Sequence, residues 1–282
     1  MRAVIAVTGA TGSLGSRVAA HLAVREITMR LLVRDPARAP ELPGTEVRRI
    51  GGYGAGEDVR AALAGADTLL LVPAHESAER VAQHRGMVEA AVAAGVGRIV
   101  YVSFAAAARD ATFTLARDHW ATEEAVKATP LRWTFARMNL YLDFVPRMVV
   151  DGAIRGPAGD GRVAAVLRED VAAAVAVLLA EDGHDGRTYE LTGPSAFSMA
   201  EAAAALSRAT GRTVRFEDET EEQAHASRAG YGAPGWQVEA WVTTYLAIRD
   251  GSVAAVSGHV RELTGRDPVS MEDFIERGAS AG

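Results

Sequence analysis

Residues 3–15 read Ala-Val-Ile-Ala-Val-Thr-Gly-Ala-Thr-Gly-Ser-Leu-Gly: an apolar, β-branched run that breaks into glycines at Gly9, Gly12 and Gly15, with a helical pattern directly after. Each glycine answers a separate steric demand. Gly9 turns the chain, Gly12 lets backbone approach a phosphate, and Gly15 lets helix pack closely on strand. Free N–H groups at the helix start then face an anion. Glycine-rich corners of this kind also occur without a ligand. The strand before and the helix after favour a dinucleotide pyrophosphate here.

Outward from this corner, short apolar runs at about 3–8, 28–33, 67–72, 97–102 and 131–136 alternate with helical segments near 13–24, 57–64, 77–94 and 117–128. That rhythm predicts right-handed βαβ crossovers and an α/β fold with a Rossmann-type doubly wound parallel sheet. A weaker strand at Glu46–Ile50 fits the third position of its first half. After residue 140 the pattern loosens into a turn at Gly152–Gly161, a helix near 169–181, a strand at Thr188–Leu191, a helix at 199–209, a strand at 213–216 and then mostly helix. The expected division is a dinucleotide-binding core over 1–150 and a smaller C-terminal α/β substrate lobe over 151–282, in one cooperative unit whose later strands can return to the core sheet.

Composition narrows the class. The 282 residues carry a formal net charge of −6, which gives no general attraction to nucleic acid. There is no cysteine, so disulfides, thiolate catalysis and Cys-ligated metal are excluded. The longest apolar stretch, Val171 to Ala180, is about half a bilayer span, and the N-terminus runs directly into a core strand, leaving no room for a signal peptide. The expectation is a cytoplasmic protein, monomer or homodimer, with a small-molecule partner, no membrane association and no metal.

The second strand ends in Arg34-Asp35-Pro36. An NAD-type site places an acid here for the adenosine ribose, and an NADP-type site a cation for the 2′-phosphate. Arg34, with Arg38 a turn later, favours NADPH; Asp35 keeps NADH as the alternative, and a solvated turn pair remains open as well.

The fifth apolar run ends at Ser103, where short-chain dehydrogenases carry a catalytic serine, yet the Tyr-x-x-x-Lys pair of those enzymes is impossible. The only lysine is Lys127, and four residues before it stands Glu123. The helix instead presents His119 and Glu123 on one face. His119 reads either as a substrate-facing proton donor or polar contact, or as a helix residue satisfied by its neighbours. Reduction of a simple ketone needs a positioned acid. A quinone or conjugated dye spreads the incoming charge and needs only orientation over a nicotinamide.

Gly9-Ala-Thr-Gly-Ser-Leu-Gly15, Leu32-Val-Arg34-Asp-Pro36, Gln83-His84-Arg85, Leu115-Ala-Arg-Asp-His119-Trp-Ala-Thr-Glu123 and Gly183-His-Asp-Gly186 together resemble the NmrA-like atypical short-chain dehydrogenases. Within these, the chain is similar to the type 2 NAD(P)H:quinone oxidoreductases and the triphenylmethane reductases over nearly its full length. The resemblance implies that Gly9, Ala10, Thr11, Gly12, Ser13 and Leu14 hold the pyrophosphate, Arg34 the 2′-phosphate, and Pro73, Ala74 and His75 the adenosine side. It implies a nicotinamide near Ser103 and Phe104 and along Met138, Asn139 and Tyr141. Relatives commonly read Arg-Asn-x-x-Tyr there; here Met138 replaces the asparagine and Asn139 comes one residue late. Phe104, Trp120, Leu140, Tyr141 and Phe144 are candidates for the flat walls of a planar acceptor, with ordinary core packing as the competing role. His84 and His184 read as structural. The acidic run Glu217–Glu222 reads as a solvated helix start, and Tyr245 with Arg249 as a chance echo of the missing pair. The expected activity is hydride transfer from NADPH to a quinone or other conjugated, dye-like acceptor. A non-enzymatic NADP sensor and a tailoring reductase of an aromatic metabolite are the alternatives.

Overall fold

The computed structural model describes residues 4–279. Ala3, the first residue of the expected opening strand, lies outside them. In chain order the elements begin β1 (Ile5–Thr8), α1 (Gly15–Val24), β2 (Met29–Val33), β3 (Thr45–Arg49), α2 (Glu57–Leu63), β4 (Thr68–Leu71), α3 (Arg80–Ala93), β5 (Arg98–Phe104), α4 (Thr114–Lys127) and β6 (Arg132–Met138). They continue with β7 (Val149–Val150), β8 (Ala153–Gly156), β9 (Arg162–Val163), α5 (Arg168–Ala180), β10 (Arg187–Leu191), β11 (Phe197–Ser198), α6 (Met199–Thr210), β12 (Arg215–Asp218), α7 (Glu221–Arg228), α8 (Gly235–Arg249), α9 (His259–Thr264) and α10 (Met271–Ala279).

Two compact units share the chain. The first holds residues up to Phe104 together with Asp118–Arg137 and Arg168–Tyr189; the second holds Ala105–Arg117, Met138–Leu167 and the residues from Glu190 onward. The first is built on the seven-stranded sheet of order β10-β6-β5-β4-β1-β2-β3. Parallel pairing joins β1 to β2 and β4, β2 to β3, and β4 to β5. This is the doubly wound arrangement expected from the rhythm of apolar runs, and its order reverses between β1 and β4. Ala6, Leu69, Leu71, Ile99, Tyr101 and Phe135 face the helices α2, α3 and α4 across one apolar core. Alternation along each strand sends Ile5 and Val7 to the other face. There α1 buries Val18, Ala19 and Leu22, and α5 is buried almost throughout. Glu169 on α5 meets His21 and Arg17 on α1 at 2.7 and 3.4 Å.

In the second unit, the glycine-rich stretch expected as a turn contains β8, which pairs in parallel with β12 and antiparallel with β7. Ala153, Ile154 and Gly156 are buried, so the pairing comes from tertiary burial that no local period announces. The acidic run is a strand end as well as a helix start: Glu217 and Asp218 belong to β12, and Thr220 then caps α7 in a box with Gln223. No helix of the described residues is long and apolar enough to cross a membrane.

A Cβ on Gly15 would lie 2.3 Å from the carbonyl oxygen of Gly9, a backbone atom that cannot rotate away. Gly15→Ala is therefore expected to cost about 1–3 kcal/mol of stability, as overpacking does. Urea denaturation of the variant against the parent measures it.

Candidate active site

In the first unit, the carboxyl ends of β2, β1, β4, β5 and β6 carry Arg34, Gly9–Leu14, Pro73–His75, Ser103–Phe104 and Arg137 in spatial order. The order reversal falls between the glycine loop and the 73–75 loop, the position at which doubly wound sheets take their ligands. Gly9 has φ +65°, and a Cβ on it would press on Val72 at 3.1 Å. The Gly12 N–H donates to Gly9 O at 2.8 Å and closes the turn. Leu14 precedes α1 and supplies no side-chain cap, so the first N–H groups of the helix are not answered by it. Gly12 and Ser13 are exposed, Thr11 is half-buried, and Ala10 and Leu14 anchor the loop in the core. Thr8 fixes the neighbouring strand end: its hydroxyl donates to Leu70 O at 3.0 Å and accepts the Val72 N–H at 2.9 Å.

Asp35, the residue that would argue for an NAD-type ribose contact, accepts the Ala37 N–H at 3.1 Å and caps the short helical turn Pro36–Arg38. Arg34 and Arg38 beside it are exposed. The β2 corner thus presents two guanidinium groups and a carboxylate already engaged by backbone.

Ser103, His119 and Glu123 are buried, and all three are hydrogen-bonded. The Ser103 hydroxyl donates to Glu123 at 2.6 Å. Arg137 from β6 grips the same carboxylate through Nε at 2.8 Å and Nη2 at 2.7 Å. For His119, Arg80 Nη2 donates to Nε2 at 3.3 Å. That nitrogen is therefore the acceptor, so Nδ1 carries the proton and donates to the Tyr101 hydroxyl at 2.9 Å. Burial, with the positive charge of Arg80, holds the His119 pKa well below the usual imidazole range. Of the two readings of His119, the structure shows a neutral imidazole with both ring nitrogens engaged by neighbours. Phe104 packs against this ring at a centroid distance of 6.0 Å. Trp120 is half-buried on the same helix.

His84 forms the matching clamp under the loop after β4. Its Nε2 accepts the Ala74 N–H at 2.9 Å, its Nδ1 donates to Thr122 at 2.8 Å, and Thr122 donates to Asp118 O at 2.8 Å. Burial and then Arg80 push its pKa down to about 3. Pro73 and Ala74 are half-buried beside it, and His75 is exposed. His184 Nδ1 pairs with the Tyr189 hydroxyl at 2.7 Å, in the structural manner expected of it.

In the second unit, Asn139 is wholly buried. Its amide Nδ2 donates to Val253 O at 2.9 Å, and its Oδ1 accepts the Leu140 N–H at 2.7 Å, so the side chain is committed to the unit's own backbone. Met138 O accepts the Ala105 N–H at 2.8 Å. Tyr141 forms a parallel bridge to Val166, whose N–H donates to Leu140 O and whose carbonyl accepts the Leu142 N–H, each at 2.9 Å, and Phe144 stands exposed on the wall of a cavity among Met148, Tyr231 and Trp241. Tyr245 is buried, and Arg249 pairs with Asp218 at 3.3 Å, so neither forms a hydroxyl-and-base pair. No group of three or more potential metal-ligating side chains occurs among the described residues.

Three site residues escaped the sequence reading: Arg80, Tyr101 and Thr122. Arg80 and His84 are four apart on one helix face, a spacing that could have signalled a shared role. Tyr101, in a continuous apolar strand, carries no such mark.

A glycine loop feeding an uncapped helix at the reversal of a parallel sheet defines a dinucleotide-binding protein of Rossmann type. More narrowly, the chain belongs to the NmrA-like family, whose model matches residues 1–228. It is 32% identical over 279 residues to quinone oxidoreductase 2 of Escherichia coli, covering 96% of this chain and 97% of that one. The crystal structure of that oxidoreductase with NADPH superposes with a TM-score of 0.89, at 31% identity and over 97% and 99% of the two chains. Triphenylmethane reductase of Citrobacter sp., solved with NADP(H), gives a TM-score of 0.85 at 32% identity, over 97% and 99%. A Streptomyces griseus enzyme, (4-alkanoyl-5-oxo-2,5-dihydrofuran-3-yl)methyl phosphate reductase, is 37% identical over 287 residues, 98% of each chain.

His84 and His119 both have folded-state pKa values below the unfolded value of about 6.5, so the neutral forms favour the fold. Their contribution is complete above about pH 6.5 and is lost as the pH falls, for His84 down to about 3. The urea midpoint is expected to drop between pH 7 and pH 5, ahead of the carboxylate range. His84→Gln is expected to flatten that slope; an unchanged slope contradicts the assignment.

Proposed function

We propose that this chain is an NAD(P)H-dependent oxidoreductase that takes NADPH in preference to NADH and reduces a quinone or another conjugated acceptor. The glycine loop and the first turn of α1 bind the pyrophosphate, Arg34 with Arg38 the 2′-phosphate, and Pro73, Ala74 and His75 border the adenosine. Ser103, Phe104, His119 and Trp120 lie on the nicotinamide side. A bound, reduced nicotinamide supplies the hydride. The residues of this chain bind and orient, and the observation that carries the choice of acceptor is that they offer no ready acid.

The Ser103 hydroxyl donates its hydrogen bond to the Glu123 carboxylate, and Glu123 is held by Arg137. His119 is neutral with its N–H aimed at Tyr101, and burial raises the Tyr101 pKa far above neutrality. A ketone would leave a high-pKa alkoxide with no donor in this set. A quinone leaves a delocalised anion that water can protonate. The name of the Streptomyces relative favours a second reading, a tailoring reductase, on the same electronic ground. A carbon–carbon double bond conjugated to a ketone and a lactone, as in the substrate of that name, accepts hydride to give a carbanion spread over two carbonyls.

With the purified chain, oxidation of NADPH is expected to be steady with 1,4-benzoquinone or a triphenylmethane dye and absent with an unconjugated ketone such as cyclohexanone. No turnover across such conjugated acceptors rejects the reading. Arg34→Ala is expected to weaken NADPH binding about tenfold, the effect of losing one charge-assisted contact, and to leave NADH binding nearly unchanged. Calorimetric titration with both coenzymes checks it, and equal losses for the two would remove Arg34 from the 2′-phosphate.

A further inference from the structure

Within the second unit, the segment 144–155 together with α7, α8 and the turn between them encloses a cavity of about 330 Å³. That volume is in the range of small-molecule sites. Its walls are aromatic: Phe144, Tyr231, Trp241 and Tyr245 all line it. Phe144 is 42% exposed and Tyr231 61% exposed, an arrangement that leaves two large ring faces in water at one place. Tyr231 and Trp241 meet edge to face at 6.0 Å. Gly156 seats Tyr245, since a Cβ there would lie 2.5 Å from its ring.

The charge of the lining is one-sided. Arg147, Arg155 and Arg228 line the cavity and no carboxylate does, in a chain whose formal net charge is −6. Two of these arginines are neutralised from outside the lining, Arg155 by Glu217 at 2.7 Å and Arg228 by Glu219 at 2.9 Å. Arg228 also covers the Tyr245 ring at 5.5 Å. Arg147 has no ion pair or side-chain hydrogen bond among the described residues, and it is exposed. An unpaired guanidinium beside a set of open aromatic faces matches a ligand with a flat apolar body and one anionic end.

We propose that this cavity is a binding site for a planar aromatic anion, its rings held among Phe144, Tyr231 and Trp241 and its carboxylate, sulfonate or phosphate drawn to Arg147. The assignment concerns binding within one unit and requires no coenzyme.

Calorimetry and tryptophan fluorescence with 2-naphthoate as the anionic probe and 2-naphthamide as its neutral counterpart test it on the full chain. The expected result is saturable one-to-one binding of naphthoate, about tenfold tighter than naphthamide. Arg147→Ala is expected to remove that preference while leaving naphthamide binding and the thermal midpoint unchanged, because the side chain has no partner to lose. Tyr231→Ala is expected to weaken both probes. Saturating NADP⁺ is expected not to displace naphthoate. Absence of saturable binding, equal affinity for the two probes, indifference to Arg147→Ala, or displacement by NADP⁺ would each overturn the proposal, whether or not the chain reduces quinones.

Discussion

The first unit depends on a carboxylate that has no access to water. Glu123 sits on α4 with nothing of its side chain exposed, and it is tolerable there only because Ser103 of β5 and Arg137 of β6 satisfy its oxygens. Burying a charge costs several kcal/mol unless geometry and hydrogen bonds compensate, and removal of one partner leaves the penalty standing. The pair therefore serves less as net stabilisation than as a constraint on geometry. It sets the register of α4 against the carboxyl ends of two strands, and it consumes the serine hydroxyl in doing so. His119, one helical turn before Glu123, is carried to a fixed place by the same constraint.

A second layer of neutral imidazoles works beside that charged pair. His84 joins the loop after β4 to α4 through Thr122, and His119 joins α3 to β5 through Arg80 and Tyr101. Neutral histidines suit this duty because each offers one donor and one acceptor, whereas a protonated ring would place a further cation beside the buried Arg80. The glycine corner is held by different means, steric closeness at Gly15 and the Thr8 latch.

The doubly wound sheet was legible because each crossover has its own local period. The runs at 28–33 and 97–102 and the helical segments at 57–64 and 199–209 match their elements to within a few residues. Where pairing rests on tertiary burial alone, the pattern is silent. β8 sits in a stretch that reads as a turn, because Gly152 and Gly156 mask two buried apolar residues between them. The same holds for the site. Glycines stand out because backbone geometry restricts the residue type, Arg34 because a cation ending the second strand is what a 2′-phosphate would require, and His119 and Glu123 by spacing. Tyr101 is indistinguishable from core, and Asn139 reads as a displaced ligand although both ends of its amide serve the backbone of the second unit.

The absence of the Tyr-x-x-x-Lys pair acquires its meaning from what fills its place. A helix that had merely lost a catalytic tyrosine would leave polar groups near Ser103 unpaired, and the buried surroundings would penalise each of them. Here Ser103, Glu123, Arg137 and His119 form closed pairs with complementary donors and acceptors. An acid of suitable pKa would have to break one of these pairs in order to deliver a proton, and the cost would be added to the barrier of every turnover. Such closed pairs are the ground for proposing acceptors that stabilise the incoming electron pair within their own conjugated system, for which geometry over the reduced ring is the main thing a protein can contribute.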